Sequence, residues 1–129
     1  MFSVTKTFEI CYAHRLRDYP GPCKELHGHN GIIQVTYEAE GLGKEGMVSD
    51  FPRIADWFRP VKASLDHTTI LDRSDPLVGD LHGKTKLFLL HQPPTAEALA
   101  EYIGVNLINR PSKVEFWETR DNKGEWNAS

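Results

Sequence analysis

Residues 2–11 and 27–40 alternate apolar with polar side chains, and a Pro- and Gly-bearing connection separates them. Alternation with a period of two describes a strand that buries one face. In the second segment Ile33, Val35 and Tyr37 fall on one side, with Gln34, Thr36 and Glu38 on the other. The breaker Pro20-Gly21-Pro22 makes the connection a loop, so an antiparallel pair is the simplest outcome. Two strands alone are marginal in water, and the rest of the chain must cover their apolar face.

The cover is legible downstream. Asp50 reads as a helix N-cap. Ile54, Trp57, Phe58, Val61 and Leu65 follow at helical spacing, which predicts an amphipathic helix of about 14 residues. Residues 66–93 read mostly as loop, with a short apolar run at Leu87–Leu90. Pro94-Thr95 opens a second helix with Leu99, Ile103 and Leu107 on its buried stripe. Residues 113–119 alternate again as a third strand. Asp121-Asn122-Lys123-Gly124 reads as a hairpin turn, and a short fourth strand begins at Glu125. The order is ββααββ in one α+β domain over residues 1–129. There is no internal repeat, low-complexity tract or interdomain linker.

Charge and apolar content narrow the function. The formal net charge is −3, and no basic run tracks a phosphate backbone, which argues against nucleic acid. Nothing approaches about 20 consecutive apolar residues, so no membrane span is expected. The first residues lack the pattern of a signal peptide. The two cysteines, Cys11 and Cys23, then read as reduced thiols of a cytoplasmic protein. Cys11, inside a strand pattern, reads as a small buried side chain.

The sharpest local feature is Leu26-His27-Gly28-His29-Asn30. Residues two apart on a strand project to one face, so His27 and His29 can reach one ion. His14, at the end of the first strand, joins them if the two strands form a hairpin. An H-x-H pair by itself is often accidental; His14 is what makes a set. Three neutral imidazoles suit zinc with a position left for water or substrate, and such an ion is a strong Lewis acid. Iron or another first-row metal fits the same ligands.

Around this set stand candidates for proton transfer. Cys23 lies four residues before His27, where a nearby cation would favour its thiolate. Taken alone it is an ordinary loop thiol. Asp66-His67 closes the first helix; a carboxylate beside an imidazole can fix its tautomer, although a histidine at a helix C-terminus is also explained by the dipole. Glu118, near the end of the third strand, could accept two N–H bonds from the amino-pyrimidinone edge of a pterin or guanine if buried. His82 and His91 read as loop histidines without a role, and Glu97 as a carboxylate in a first helical turn.

In order along the chain these pieces are Ala13-His14-Arg15-Leu16, Cys23-Lys24-Glu25-Leu26-His27-Gly28-His29-Asn30, Ser49-Asp50-Phe51, Leu65-Asp66-His67, Pro94-Thr95-Ala96-Glu97 and Trp117-Glu118-Thr119. The series resembles the 6-pyruvoyl-tetrahydropterin synthase family over nearly the whole chain, and within it the bacterial-type 6-carboxy-tetrahydropterin synthases of the queuosine pathway. The C-x-x-x-H-G-H segment is the specific part; L-D-H and P-T-x-E gain weight from their order.

The resemblance implies a T-fold (tunnelling fold): a four-stranded antiparallel sheet with two helices on one face, its subunits joining into a β-barrel. It implies a homohexamer built as a dimer of trimers, with active sites at subunit interfaces. It implies one zinc per subunit on His14, His27 and His29, and 7,8-dihydroneopterin triphosphate as substrate. Cys23 would be the general base, Asp66 and His67 its relay, and Glu118 the anchor of the pterin ring with Thr95 helping. The product would be 6-carboxy-5,6,7,8-tetrahydropterin, with triphosphate and acetaldehyde released.

Two departures stand out. Gly31 occupies a position that is often aromatic in the family, and residues 72–92 form a longer stretch than in its shortest members. Four readings compete: the carboxy-forming lyase, a 6-pyruvoyl-tetrahydropterin synthase of the biopterin branch, a three-histidine iron oxygenase, and a non-catalytic pterin-binding T-fold protein. The short Cys23–His27 spacing favours the first.

Overall fold

The computed structural model describes residues 1–129. Strand β1 (Phe2–His14) pairs with β2 (His27–Ala39) along its whole length, from Phe2↔Ala39 to His14↔His27. The alternation is realised as expected: Ile10 and Tyr12 on β1, and Ile33, Val35 and Tyr37 on β2, are buried. Cys11 departs from expectation. It is exposed, because it points away from the face that Ile10 and Tyr12 bury.

Helix α1 (Phe51–Leu65) follows with Ile54, Phe58, Val61 and Leu65 buried. Asp50 occupies its N-cap in an extended conformation, yet its side chain makes no capping bond. The sheet is larger than the four antiparallel strands expected. It has six strands in the order β4-β3-β1-β2-β5-β6. Strand β3 (Thr68–Asp72) runs parallel to β1, and β4 (Leu87–Leu90) runs parallel to β3. A short helix, α2 (Leu77–Leu81), lies between them.

The segment read as loop therefore supplies two strands. Thr68, Thr69, Ile70 and Leu71 are all buried. A strand packed on both faces shows no alternation, so the period-two signal is absent where burial is deepest.

Helix α3 (Ala96–Asn106) packs over β5 (Lys113–Thr119) and β6 (Asn122–Asn127), while α1 packs over β1 and β3. Leu99 and Ile103 are fully buried, and Leu107 closes α3 as its C-cap. The β5–β6 hairpin pairs Thr119 with Asn122. Its turn is thus Arg120-Asp121, two residues earlier than the sequence suggested, and a bulge lies between Trp117 and Thr119. The result remains α+β, with a mixed sheet and three helices.

Candidate metal centre

The full-length β1–β2 register sets His14 opposite His27 and Tyr12 opposite His29. The hairpin anticipated from the sequence therefore brings the three histidines together. One ring nitrogen from each lies within 4.8 Å of the others. The ring centroids are 4.7, 5.1 and 4.9 Å apart, close to an equilateral triangle.

Hydrogen bonds on the far side of two rings set their tautomers. His14 donates from Nδ1 to the Pro94 carbonyl at 2.8 Å, and His27 donates from Nδ1 to the Glu25 carbonyl at 2.7 Å. A carbonyl can only accept, so Nδ1 carries the proton and Nε2 keeps its lone pair. Nε2 of His14 and Nε2 of His29 are buried without any partner. Burial keeps both rings neutral: it pushes the His14 pKa down to about 4 and also lowers that of His29. Unpaired buried acceptors are costly, and a cation between them removes the cost. Histidines whose second nitrogen is held by a carbonyl are what a metal site requires.

Glu118, at the end of β5, directs Oε1 to 3.3 Å from Nε2 of His14. Since that nitrogen carries no proton, two electron-rich atoms face each other, again an arrangement that a cation relieves. The donor set fits zinc: three neutral imidazoles, with a carboxylate at the margin.

Cys23 sits on a single 3₁₀ turn (Pro22–Lys24) in the loop joining the two ligand-bearing strands. Its carbonyl accepts from the Leu16 N–H at 2.8 Å, which folds the loop across itself. The thiol is half-buried. Asp66 and His67 lie elsewhere. Asp66 Oδ1 accepts the Cys11 backbone N–H at 2.8 Å and lies 3.1 Å from Nδ1 of His67. Burial alone would raise the Asp66 carboxyl, but bonds from Cys11 and His67 outweigh it and hold the carboxyl below its ordinary value. His67 adopts a left-handed φ of 58°, which costs energy in a residue other than glycine. Its side chain is 79% exposed. Neither residue bonds Cys23 within the chain.

Thr95 is the N-cap of α3, and its side chain accepts from the Ala98 N–H. Its neighbour Pro94 holds His14, so the helix start and the histidine triangle are joined. His82 and His91 are exposed. Arg15 is engaged by Asp75, with Nε donating to Oδ2 at 2.8 Å.

Sequence reasoning missed Tyr12 and the Pro94 carbonyl. Tyr12 was within reach, because it stands two residues before His14 and shares its strand face. The Pro94 contact spans 80 positions and leaves no local signal.

The model of the 6-pyruvoyl tetrahydropterin synthase family matches residues 3–128. A 6-carboxy-5,6,7,8-tetrahydropterin synthase of Aquifex aeolicus is 31% identical, with 97% of each chain covered. One of Rickettsia bellii is 32% identical over 80% of this chain and 78% of its own. Among solved structures, the Caenorhabditis elegans 6-pyruvoyl tetrahydropterin synthase superposes with a TM-score of 0.75 at 23% identity, covering 99% of this chain and 96% of its own. With a match over nearly its full length, the chain belongs to the 6-pyruvoyl tetrahydropterin synthase family, and with it to enzymes of the lyase class.

Proposed function

We propose that this chain is a zinc-dependent lyase that converts 7,8-dihydroneopterin triphosphate to 6-carboxy-5,6,7,8-tetrahydropterin, releasing triphosphate and acetaldehyde. The observation that carries the reading is the triangle of His14, His27 and His29, two of whose Nε2 atoms are buried with no partner. The names of the relatives favour the carboxy product over the pyruvoyl one. The reaction is redox-neutral overall, because the ring gains the hydrogens that the side chain gives up, and it balances with one water consumed as triphosphate leaves; no external reductant is required.

When bound by the three histidines, zinc supplies Lewis acidity to the hydroxyls of the substrate side chain. The protein does the rest. Cys23 takes a side-chain proton as general base. Asp66 orients His67, which relays the proton. Because those two residues bond each other and the backbone of Cys11 rather than Cys23, the relay comes from a neighbouring subunit. Glu118 accepts two N–H bonds from the amino-pyrimidinone edge. Thr95 spends its acceptor on Ala98 and keeps a hydroxyl proton to donate to the ring.

A subunit of one domain over residues 1–129, assembled as a dimer of trimers, would bring the two halves together. No helix is long and apolar enough to cross a membrane, and the free thiols suit a cytoplasmic setting.

The test is a product assay with zinc-loaded protein and dihydroneopterin triphosphate, read by mass spectrometry beside Cys23→Ala. Carboxy-tetrahydropterin and acetaldehyde, lost in the variant, are expected. A pyruvoyl product moves the chain to the biopterin branch. Folded, zinc-loaded protein without turnover leaves a pterin-binding role.

A further inference from the structure

His67 is the one residue other than glycine with a positive φ, and a cheaper backbone lies one movement away. The peptide between Asp66 and His67 is planar, so its C=O and N–H turn together. Half a turn would take Asp66 from a ψ of 136° to a helical value and His67 from a φ of 58° to an extended one. Both are ordinary conformations, and the flanking chain would stay in place. Something must hold the peptide against that flip.

Both of its ends are held. The His67 N–H donates to the Cys11 carbonyl at 2.6 Å. The Asp66 carbonyl accepts from Nζ of Lys86 at 3.1 Å. Lys86 is itself placed by the sheet: it directly precedes β4, and its own carbonyl accepts the Thr69 N–H at 3.0 Å. Its side chain turns back to the end of α1, where Nζ also takes the Ala63 carbonyl. Lys86 thus brackets His67, with its backbone tied at residue 69 and its ammonium at residue 66.

A cation at a helix C-terminus satisfies last-turn carbonyls and suits the dipole. That accounts for the bond to Ala63. It does not account for the bond to Asp66, which lies beyond the last helical residue, Leu65. Ordering a long lysine side chain costs conformational entropy, so the second bond needs a reason.

We propose that Lys86 is a positioning residue for the Asp66–His67 pair: its ammonium latches the peptide between them and keeps the His67 imidazole presented on its left-handed backbone. With the latch removed, the flipped peptide competes, and the His67 N–H loses the Cys11 carbonyl. The proposal rests on the reading of Asp66 and His67 as the proton relay.

The test compares Lys86→Met, which keeps the length of the stem and loses the donors, with Lys86→Arg, which keeps charge and donors. Hydrogen exchange resolved to single amides is the first readout. In Lys86→Met the His67 amide should exchange about three- to tenfold faster, the weight of one hydrogen bond, while the amides of buried Ile33 and Val35 keep their rates. Turnover of dihydroneopterin triphosphate is the second: kcat should fall by a similar factor with KM and zinc content unchanged. Lys86→Arg should restore most of both. In a His67→Ala background, Lys86→Met should cost no further activity. Unchanged exchange at His67 overturns the proposal. So does acceleration spread evenly over the core amides, which confines Lys86 to the stability of the helix end. If His67→Ala leaves kcat intact, the relay reading fails and the positioning role falls with it. That outcome is distinct, because a His67-dependent kcat that Lys86→Met does not lower removes Lys86 alone.

Discussion

The histidine corner and the Asp66–His67 corner meet the same strand, β1, three residues apart, and they are built differently. At the first, His14 is 1% exposed, its far nitrogen is held by Pro94, and its near nitrogen faces the two other histidines. Every element of that corner comes from one chain. At the second, His67 is 79% exposed on a left-handed backbone, with Asp66 as its only side-chain partner. Strain retained in an exposed residue needs a compensating use. The contrast sets a histidine triangle that one chain closes by itself against an acid–imidazole pair turned to solvent, which is the arrangement that the proposed relay from a neighbouring subunit requires.

The largest effect breaks the first corner. His27→Ala should reduce zinc from one per chain to near zero, measured by elemental analysis after dialysis, because two imidazoles hold a zinc ion poorly. Retention of one zinc per chain would remove His27 from the ligand set. His67→Ala should leave the zinc content unchanged, since that residue lies in the other corner.

The next effect tests whether the corners cooperate across subunits. Cys23→Ala and His67→Ala should each lower product formation by about 10² to 10⁴, the usual weight of a general base or its partner. Co-assembled after mild dissociation, the two inactive variants should recover part of the activity, because some interfaces then pair an intact Cys23 with an intact His67. Mixing without recovery would place both residues in one chain's site and undo the comparison.

A smaller effect concerns what ties the corners together. Arg15, next to His14, forms a two-pronged bond with Asp75 on the turn after β3. The Arg15 bond, outweighing the opposing effect of burial, holds the Asp75 carboxyl below its ordinary value, helped by the Leu77 N–H. The unfolded chain therefore takes up this proton first as the pH falls. The stabilisation is fully present above pH about 4, the ordinary value of an aspartate, and is lost as the pH drops through the lower folded value. Asp75→Asn should cost about 1–3 kcal/mol at neutral pH, because the Asp75 side chain is buried and its partner is charged. In thermal melts across pH, the variant and the parent should converge under acid conditions; curves that stay parallel would assign the loss to packing.

What the sequence disclosed follows the same division. The histidine corner was legible because it depends on local rules: strand periodicity puts His27 and His29 on one face, and a hairpin brings up His14. Strands β1, β2 and β5 and helices α1 and α3 were legible for that reason too. Strands β3 and β4 were not, because Thr68–Asp72 is buried on both faces and Leu87–Leu90 is only four residues long. Cys11 was misplaced by one step of the pleat, which moves a side chain from core to surface. The need for glycine at position 31 was invisible because a Cβ there would meet Tyr12 and Phe116, which approach from two other strands.

The smallest effect separates two readings of Thr95. As the N-cap of α3 it satisfies the Ala98 N–H at 3.1 Å, and its loss from a helix start costs about 1 kcal/mol. Thr95→Ala should therefore lower the melting temperature by about 3–5 °C in a chain of this size. Thr95→Ser keeps both the cap and the hydroxyl proton and should change little. If the hydroxyl also donates to the pterin ring, Thr95→Ala should raise KM several-fold with kcat nearly unchanged, because such a bond serves ground state and transition state alike. A drop in melting temperature with unaltered KM would confine Thr95 to the helix. It would then serve the histidine corner only through Pro94, the carbonyl that orients His14.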